Sequence, residues 1–278
     1  MEFNVIRVFP RRTHLTPRDD YAFVGDPPMQ GEMMRPIADE VHVSCTFTWD
    51  KPKAERLAQA WGQYYPIVKL GGPAYSTPVN GFKAGLYIRE GVTFTSRGCN
   101  NKCPWCLVPE REGKLKLIVD FAAGYIVNDN NLLQCSQSHI SRVIDMLKSQ
   151  PAAVFSGGIE ARLVTDWFAE QIRSITIHSL FLACDTEMAI KPLERAVAKL
   201  KHLNRRKLRC YVLIGKDENI EDALSRLVSV YQAGCLPFAQ LYQPPDKWIE
   251  YSDDWKALQA TFCRPAATLA FMGVDSRG

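Results

Sequence analysis

The stretch AAVFSGGIEARLVTDWFAEQIRSITIHSLFLACD, residues 152–185, holds two continuously apolar runs on either side of a helical pattern. AAVFSGG (152–158) and SLFLACD (179–185) read as strands, and 165–174 reads as the helix between them. Strands apolar at nearly every position suit a parallel sheet covered on both faces. The same alternation extends outward in both directions. Strand-like runs recur at VTFTS (92–96), GYIVND (124–129), LRCYVLIG (208–215) and LPFAQLY (236–242), with helical patterns over 136–149, 187–202 and 219–233. Six such strands joined by right-handed crossovers predict an α/β fold, a partial (β/α)6 barrel; an open doubly wound sheet is the competing arrangement. Either arrangement gathers ligands at the C-terminal strand ends. Polar residues fall there: Asp129, Asn130 and Asn131 after the second strand, Glu160 and Arg162 after the third, Asp185 and Thr186 after the fourth, and Gly215 after the fifth.

Upstream, prolines at 10, 17, 27, 28 and 36 predict an irregular arm over the first 40 residues. EVHVSCTFTW then reads as a strand, KPKAERLAQAWGQYY as an amphipathic helix and PIVKLGG as a second strand, a truncated βαβ unit over 41–72. GPAYSTPVNGF reads as a loop. Three segments are therefore expected: an arm and small unit over 1–90, a core over 91–250, and a C-terminal helix and tail over 251–278. Ser252 stands where it would cap DDWKALQATF, the last expected helix, and MGVDSRG reads as a frayed tail.

The 46% apolar and 23% charged composition excludes wholesale disorder. A net charge of +4 tolerates an anionic partner without requiring one. No run of about 18 apolar residues predicts a membrane span, and MEFNVIRVFPRR lacks an h-region and cleavage site. Nine cysteines, an odd number and mostly scattered, argue for reduced thiols and a cytoplasmic protein, some of them bound to metal.

The sharpest motif is TSRGCNNKCPWCLVP at 95–109, which places Cys99, Cys103 and Cys106 at spacing C-x3-C-x2-C in a polar loop after a strand. Such a loop can wrap three thiolates around one face of a 4Fe–4S cluster and leave one iron open to chelate a small molecule. Closed zinc sites take four ligands, commonly as two paired sets. No second C-x2-C or H-x3-H occurs in the chain. A zinc site completed by a distant fourth cysteine stays open as an alternative.

This spacing, with Trp105 directly before the third cysteine, resembles the signature of the radical S-adenosylmethionine superfamily, and the flanking TSRGC resembles its methylthiotransferase and cobalamin-dependent members. The likeness runs over roughly residues 91–245. It implies that Cys99, Cys103 and Cys106 ligate a 4Fe–4S cluster, that S-adenosylmethionine binds the open iron, and that its reductive cleavage yields a 5′-deoxyadenosyl radical acting on a substrate the sequence does not identify. It further implies a one-electron donor such as flavodoxin or ferredoxin. Trp105 would pack near the adenine. NDNNLL (128–133) resembles the end of the second strand in cobalamin-type members, where its backbone would help hold the methionine end of the cofactor; a polar turn capping helix 136–149 is the other reading. SGGIEARL invites comparison with the superfamily's GGE motif, but by strand count it follows the third strand, whereas that motif follows the second. Arg162 would be a carboxylate clamp, or half of a surface ion pair with Glu160. Asp185 would accept from the ribose hydroxyls, or cap the next helix. YVLIGKDE resembles the fifth-strand G-x-I-x-G-x-x-E motif, with Leu213 beside the adenine, Gly215 at a close backbone approach and Tyr211 in place of the first glycine.

The chain also departs from those members. Only Cys45 precedes Cys99, no all-β segment lies between 250 and 278, and no D-x-H-x-x-G occurs. Methylthiotransferase activity is therefore not expected, nor is cobalamin binding. The link between residues 107 and 123 leaves little room for a first helix. NRRKLR (204–209) is a weak nucleic-acid candidate, expected to lie opposite the site. His14, His42, His139, His178 and His202 show no ligand spacing, and the six cysteines outside the triplet read as buried thiols. Three functions remain: a radical enzyme, a cluster- or cofactor-binding scaffold without turnover, and a zinc-stabilised nucleic-acid module.

Overall fold

A computed structural model describes residues 4–29, 35–75 and 85–273. The chain divides into two compact units, one formed by residues 1–90 with 244–248 and the other by 91–243 with 249–278.

In the first unit, β1 (Val5–Phe9), β2 (Ala22–Val24), β3 (Glu40–Ser44) and β4 (Val68–Gly71) form an all-parallel sheet in the order β2-β1-β3-β4. This corrects two expectations. The first 40 residues are not an irregular arm, and the unit is a four-stranded sheet rather than a truncated βαβ unit. The prolines misled because they stand outside the strands. Pro10 directly follows β1, and VIRVF needs no proline-free neighbourhood because it is paired on both edges. Ile6, Val8, Val41 and Val43 are fully buried. Helix α1 (Lys51–Gly62) carries Pro52 in its first turn, where a missing N–H costs nothing. Its Ala54, Leu57 and Trp61, spaced three and four apart, share a face that buries in this core. The loop expected over 72–82 lies partly outside the described residues.

The second unit contains β5 (Val92–Thr93), β6 (Ser96–Arg97), α2 (Val108–Arg111), β7 (Lys116–Leu117), β8 (Ile126–Val127), α3 (Gln137–Lys148), β9 (Ala153–Glu160), α4 (Asp166–Gln171), β10 (Ile177–Ala183), α5 (Ile190–Lys199), β11 (Leu208–Ile214), α6 (Ile220–Gln232), β12 (Leu236–Leu241), α7 (Asp253–Phe262) and α8 (Pro265–Phe271). Six strands form one parallel sheet in the order β5-β8-β9-β10-β11-β12. A doubly wound sheet reverses its strand order at a switch point. No reversal occurs here, so right-handed crossovers carry the helices to one face. Leu180, Leu182, Cys210, Val212 and Ile214 join that helical core with Ile144, Leu147, Leu193 and Leu227. The opposite face carries Phe181, Tyr211 and Phe238, whose rings meet at centroid distances of 4.7–6.0 Å. No pairing joins β12 to β5 among the described residues.

Three local differences from the sequence reading have physical causes. VTFTS breaks after Thr93, and Ser96–Arg97 instead pairs antiparallel with β7. Ser252 occupies the N-cap of α7 with extended backbone, but its side chain makes no capping hydrogen bond. Helix α8 follows α7 because Pro265 opens a new helix at its first turn. No helix among the described residues is long and apolar enough to cross a membrane.

Candidate functional site

The C-terminal ends of the six strands carry most of the candidate residues, and the cysteine loop is tied to them by side chains. Gly98, at φ +79°, sets the turn into the loop; a Cβ there would lie 2.2 Å from the Lys114 carbonyl oxygen. Cys99 N–H donates to Gly113 O at 3.1 Å, Asn100 N–H to Gln134 Oε1 at 2.8 Å, and Leu115 N–H to Asn100 Oδ1 at 3.2 Å. Cys106 N–H closes a tight turn onto Cys103 O at 3.0 Å. All three thiols are free and half-buried. Burial, followed by the nearby Cys106 and Cys99, pushes the Cys103 thiol up; burial leads for Cys106 as well, with Cys99 and Asp185 adding to it. The three sulfurs are thus within electrostatic reach of one another. Among the described residues, however, no three His, Cys, Asp or Glu side chains are gathered as a metal-ligand shell.

Asp129 is almost wholly buried and already committed. It accepts from Thr95 N–H at 2.6 Å, from the Thr95 hydroxyl and from Ser96 Oγ at 2.9 Å, bracing the chain between β5 and the cysteines. His139 Nε2 lies 3.2 Å from Thr95 Oγ1. The polar-turn reading of 128–133 as a helix cap is corrected: Ser136 caps α3, accepting from His139 N–H. Asn130 donates to Glu112 Oε2 at 2.6 Å, and that carboxylate also accepts Gly98 N–H at 3.0 Å and pairs with Arg97.

Glu160 is the second hub. Its Oε2 accepts from Asn131 Nδ2 at 2.7 Å and from Asn101 Nδ2, inside the cysteine loop, at 2.9 Å. Arg162 pairs with Glu160 and donates to Asn101 Oδ1 at 3.1 Å, so this pair is part of the loop's support rather than an isolated surface bridge. Asn131 Oδ1 is buried and accepts no hydrogen bond among the described residues. A buried acceptor left without a donor costs on the order of 1–3 kcal/mol, and its place beside the cysteine loop marks where a ligand N–H would fit.

Trp105, Asp185 and Leu213 come together. Asp185 accepts Leu213 N–H at 2.9 Å, which excludes the helix-cap reading. Burial pushes its carboxyl up; the Leu213 N–H, the Arg226 charge and a Trp105 hydrogen bond oppose this. Gly215, at φ +78°, leaves room for Tyr251, whose ring would lie 2.6 Å from an added Cβ. Tyr251 Oη donates within reach of both Gly215 O, at 3.1 Å, and Tyr242 O, at 2.7 Å, clasping the ends of β11 and β12. Glu218 accepts Gly215 N–H at 2.9 Å and pairs with Arg226, which also donates to Leu213 O at 2.7 Å. Tyr211 lies on the face of the sheet that carries Phe181 and Phe238. Its hydroxyl donates to Ser156 O at 2.8 Å, and burial pushes its pKa up to about 12.

Sequence reading missed Thr95, Ser96, Asn101, Glu112, Gln134, Arg226 and Tyr251. Thr95, Ser96, Asn101 and Gln134 have partners 33 to 59 residues away in the chain, and the nearer partners of Arg226 and Tyr251, eight and nine residues away, fit no motif spacing. The basic run is partly spent on rings, with Arg205 over Tyr231 at 4.1 Å and Arg209 over Phe181 at 5.4 Å. Cys45, Cys135, Cys184, Cys210 and Cys235 are buried and Cys263 is half-buried. No protein-family model, no curated protein and no solved structure matches this chain.

Proposed function

We propose that the second unit is a partial (β/α)6 barrel that holds a 4Fe–4S cluster through Cys99, Cys103 and Cys106 and binds S-adenosylmethionine at the C-terminal strand ends. The observation that carries this reading is the unpartnered Asn131 Oδ1, buried and tied through Glu160 to a loop with three free, half-buried thiols. The donor set fits: three sulfur ligands in one loop hold a cubane's irons and leave one open. When bound, the cluster supplies the electron that cleaves the sulfonium carbon–sulfur bond and yields a 5′-deoxyadenosyl radical, the reactive species of a radical enzyme.

The chain's own residues bind and orient. Asn131 Oδ1 accepts an N–H of the methionine amino group, and Arg162 takes its carboxylate. Trp105 and Leu213 flank the adenine, and Asp185 accepts from the ribose hydroxyls while holding the Leu213 backbone. Asn130 is spent on Glu112 and Asp129 on Thr95, so both support the loop from behind rather than touch the ligand. Phe181, Tyr211 and Phe238 keep water from the concave face. The reading is tested by anaerobic reconstitution followed by assay of 5′-deoxyadenosine under reductant. The wild type releases it and Cys99→Ala does not; equal release by both overturns the assignment.

A second reading, a scaffold that binds the cofactor without turnover, is favoured by Tyr211, which occupies the place of the motif's first glycine. Cofactor binding with no cleavage under any reductant selects it.

A further inference from the structure

Side chains alternate along β11. Leu208, Cys210, Val212 and Ile214 are buried in the helical core, while Arg209, Tyr211 and Leu213 are half-buried on the other face of the sheet. The register sets Arg209 beside Phe181 of β10 and Leu236 of β12, and Tyr211 beside Ala183 and Phe238. The Arg209 guanidinium carbon lies over two rings, 5.4 Å from the Phe181 centroid and 5.8 Å from that of Phe238. It lacks a counter-ion. β10, β11 and β12 carry no Asp or Glu. Arg209 forms no hydrogen bond or ion pair among the described residues, and its Nε is buried without an acceptor. Tyr211 and Cys263 are the titratable groups that act on its charge. Burial pushes the tyrosine up to about 12, so it supplies no anion at neutral pH. Burial also pulls the guanidinium down, yet an arginine stays protonated in a protein. Taking such a cation out of water without an anion is costly, and ring faces more than 5 Å away recover only a little of that. The charge is left for a group that the chain does not supply.

We infer that this face binds a flat aromatic ligand bearing a carboxylate or phosphate group, with the anion on Arg209 and the ring against Phe181, Tyr211 and Phe238. A guanidinium offers parallel N–H groups to either anion. Phe181 and Phe238 are each only half-buried, so their rings present faces and edges to a ligand. Tyr211 is held by its hydrogen bond to Ser156 O at 2.8 Å, which sets the ring before a ligand arrives and spares the cost of ordering it. Leu213 stands four residues further along the same face, about 13 Å from Arg209 at the rise of a strand. A ligand anchored on Arg209 therefore extends toward the strand end where Asp185 accepts Leu213 N–H. The inference needs no cluster and stands apart from the cofactor reading.

The test titrates the full chain calorimetrically with 2-naphthoate, 2-naphthyl phosphate and the neutral 2-naphthalenemethanol. At least one of the two anions binds the wild type about tenfold or more tighter than the alcohol, and the tighter of them names the group that Arg209 takes. Arg209→Gln brings that anion down to the affinity of the alcohol. Arg209→Lys, which keeps the charge but loses the planar fork, falls between the two. Phe238→Leu weakens the anion and the alcohol alike, since both use the ring. Equal affinity of the wild type for the anions and the alcohol overturns the site, and that comparison requires no variant to fold. Failure of both anions to bind at millimolar concentration overturns it too. So does undiminished anion binding by an Arg209→Gln protein whose circular dichroism matches the wild type, which would place the anion elsewhere.

Discussion

The two ends of the six-stranded sheet are built on different principles. From β9 to β12 each strand is six to eight residues long, its buried side chains locked against helices. At the other end β5 and β8 are two residues each. What holds them is polar: Asp129 grips Thr95 and Ser96, Glu112 grips Gly98 and Asn130, and Glu160 grips Asn101 and Asn131. The long-strand end supports itself by burial, which is non-directional and tolerant. The short-strand end depends on specific geometry, and it carries the cysteine loop. The cysteine loop is thus held by directional polar contacts, while the strands that end at Asp185 and Leu213 are held by burial.

The contrast breaks most sharply at Leu182, fully buried in the helical core. Leu182→Ala should cost about 2–5 kcal/mol, read as a lowered denaturant midpoint with the whole unit unfolding together. Asp129→Ala should cost less, about 1–3 kcal/mol, because it strands the Thr95 N–H and two hydroxyls. Its effect should be local: amide exchange quickens over residues 94–97 and 126–131, while β10 and β11 keep their protection. Uniform quickening in both variants would erase the distinction between the two ends.

Thiol chemistry separates the same regions. Burial pushes Cys184 and Cys235 up to about 12, and it raises Cys210 well above its ordinary value too. Iodoacetamide should therefore modify Cys99, Cys103 and Cys106, half-exposed in the loop, before any of those three in the native protein. Early modification of Cys184 or Cys235 would mean that the long-strand end opens more readily than its packing implies.

Much of this architecture was legible in the sequence because it is local and apolar. AAVFSGGIE and LRCYVLI announce strands by their apolar runs, although their burial alternates residue by residue, and six of them in order set the winding. What was illegible depended on distance. VIRVF was hidden by the prolines beside it, although a proline after a strand ends it without harming it. The β6–β7 ladder pairs Ser96 with Leu117 and Arg97 with Lys116, with none of the dipeptides that mark a tight hairpin turn. Among the site residues, the cysteines and Trp105 stand in one motif, and Asp185, Leu213 and Gly215 follow from strand ends. Asp129 could be placed at a strand end, but that position says nothing of Thr95, 34 residues earlier, which occupies it. Asn131 could be placed at the edge, but only the fold reveals that one of its amide atoms is spent and the other is not.

A smaller effect sharpens the comparison through pH. Burial first, with Arg142 adding, holds His139 below the ordinary imidazole value, while Asp129 and Thr95 pull the other way. The unfolded chain then takes up the proton before the folded one. Stability from this site is whole above about pH 6.5 and drains away as pH falls below it. Burial lowers His14, His42 and His202 too, so acid should loosen both units. His139→Gln should reduce the loss between about pH 7 and about pH 5.5 in denaturant titrations; an unchanged loss would mean that His139 titrates normally.

The proposed cluster ligands are tested most directly by iron and acid-labile sulfide analysis of protein reconstituted without oxygen, wild type beside Cys99→Ala, Cys103→Ala and Cys106→Ala. The wild type should hold about four irons and about four sulfides per chain, and each variant should lose most of both while keeping its fold by circular dichroism. Full loading of any one variant, or stoichiometric zinc in place of iron in the wild type, would contradict the account.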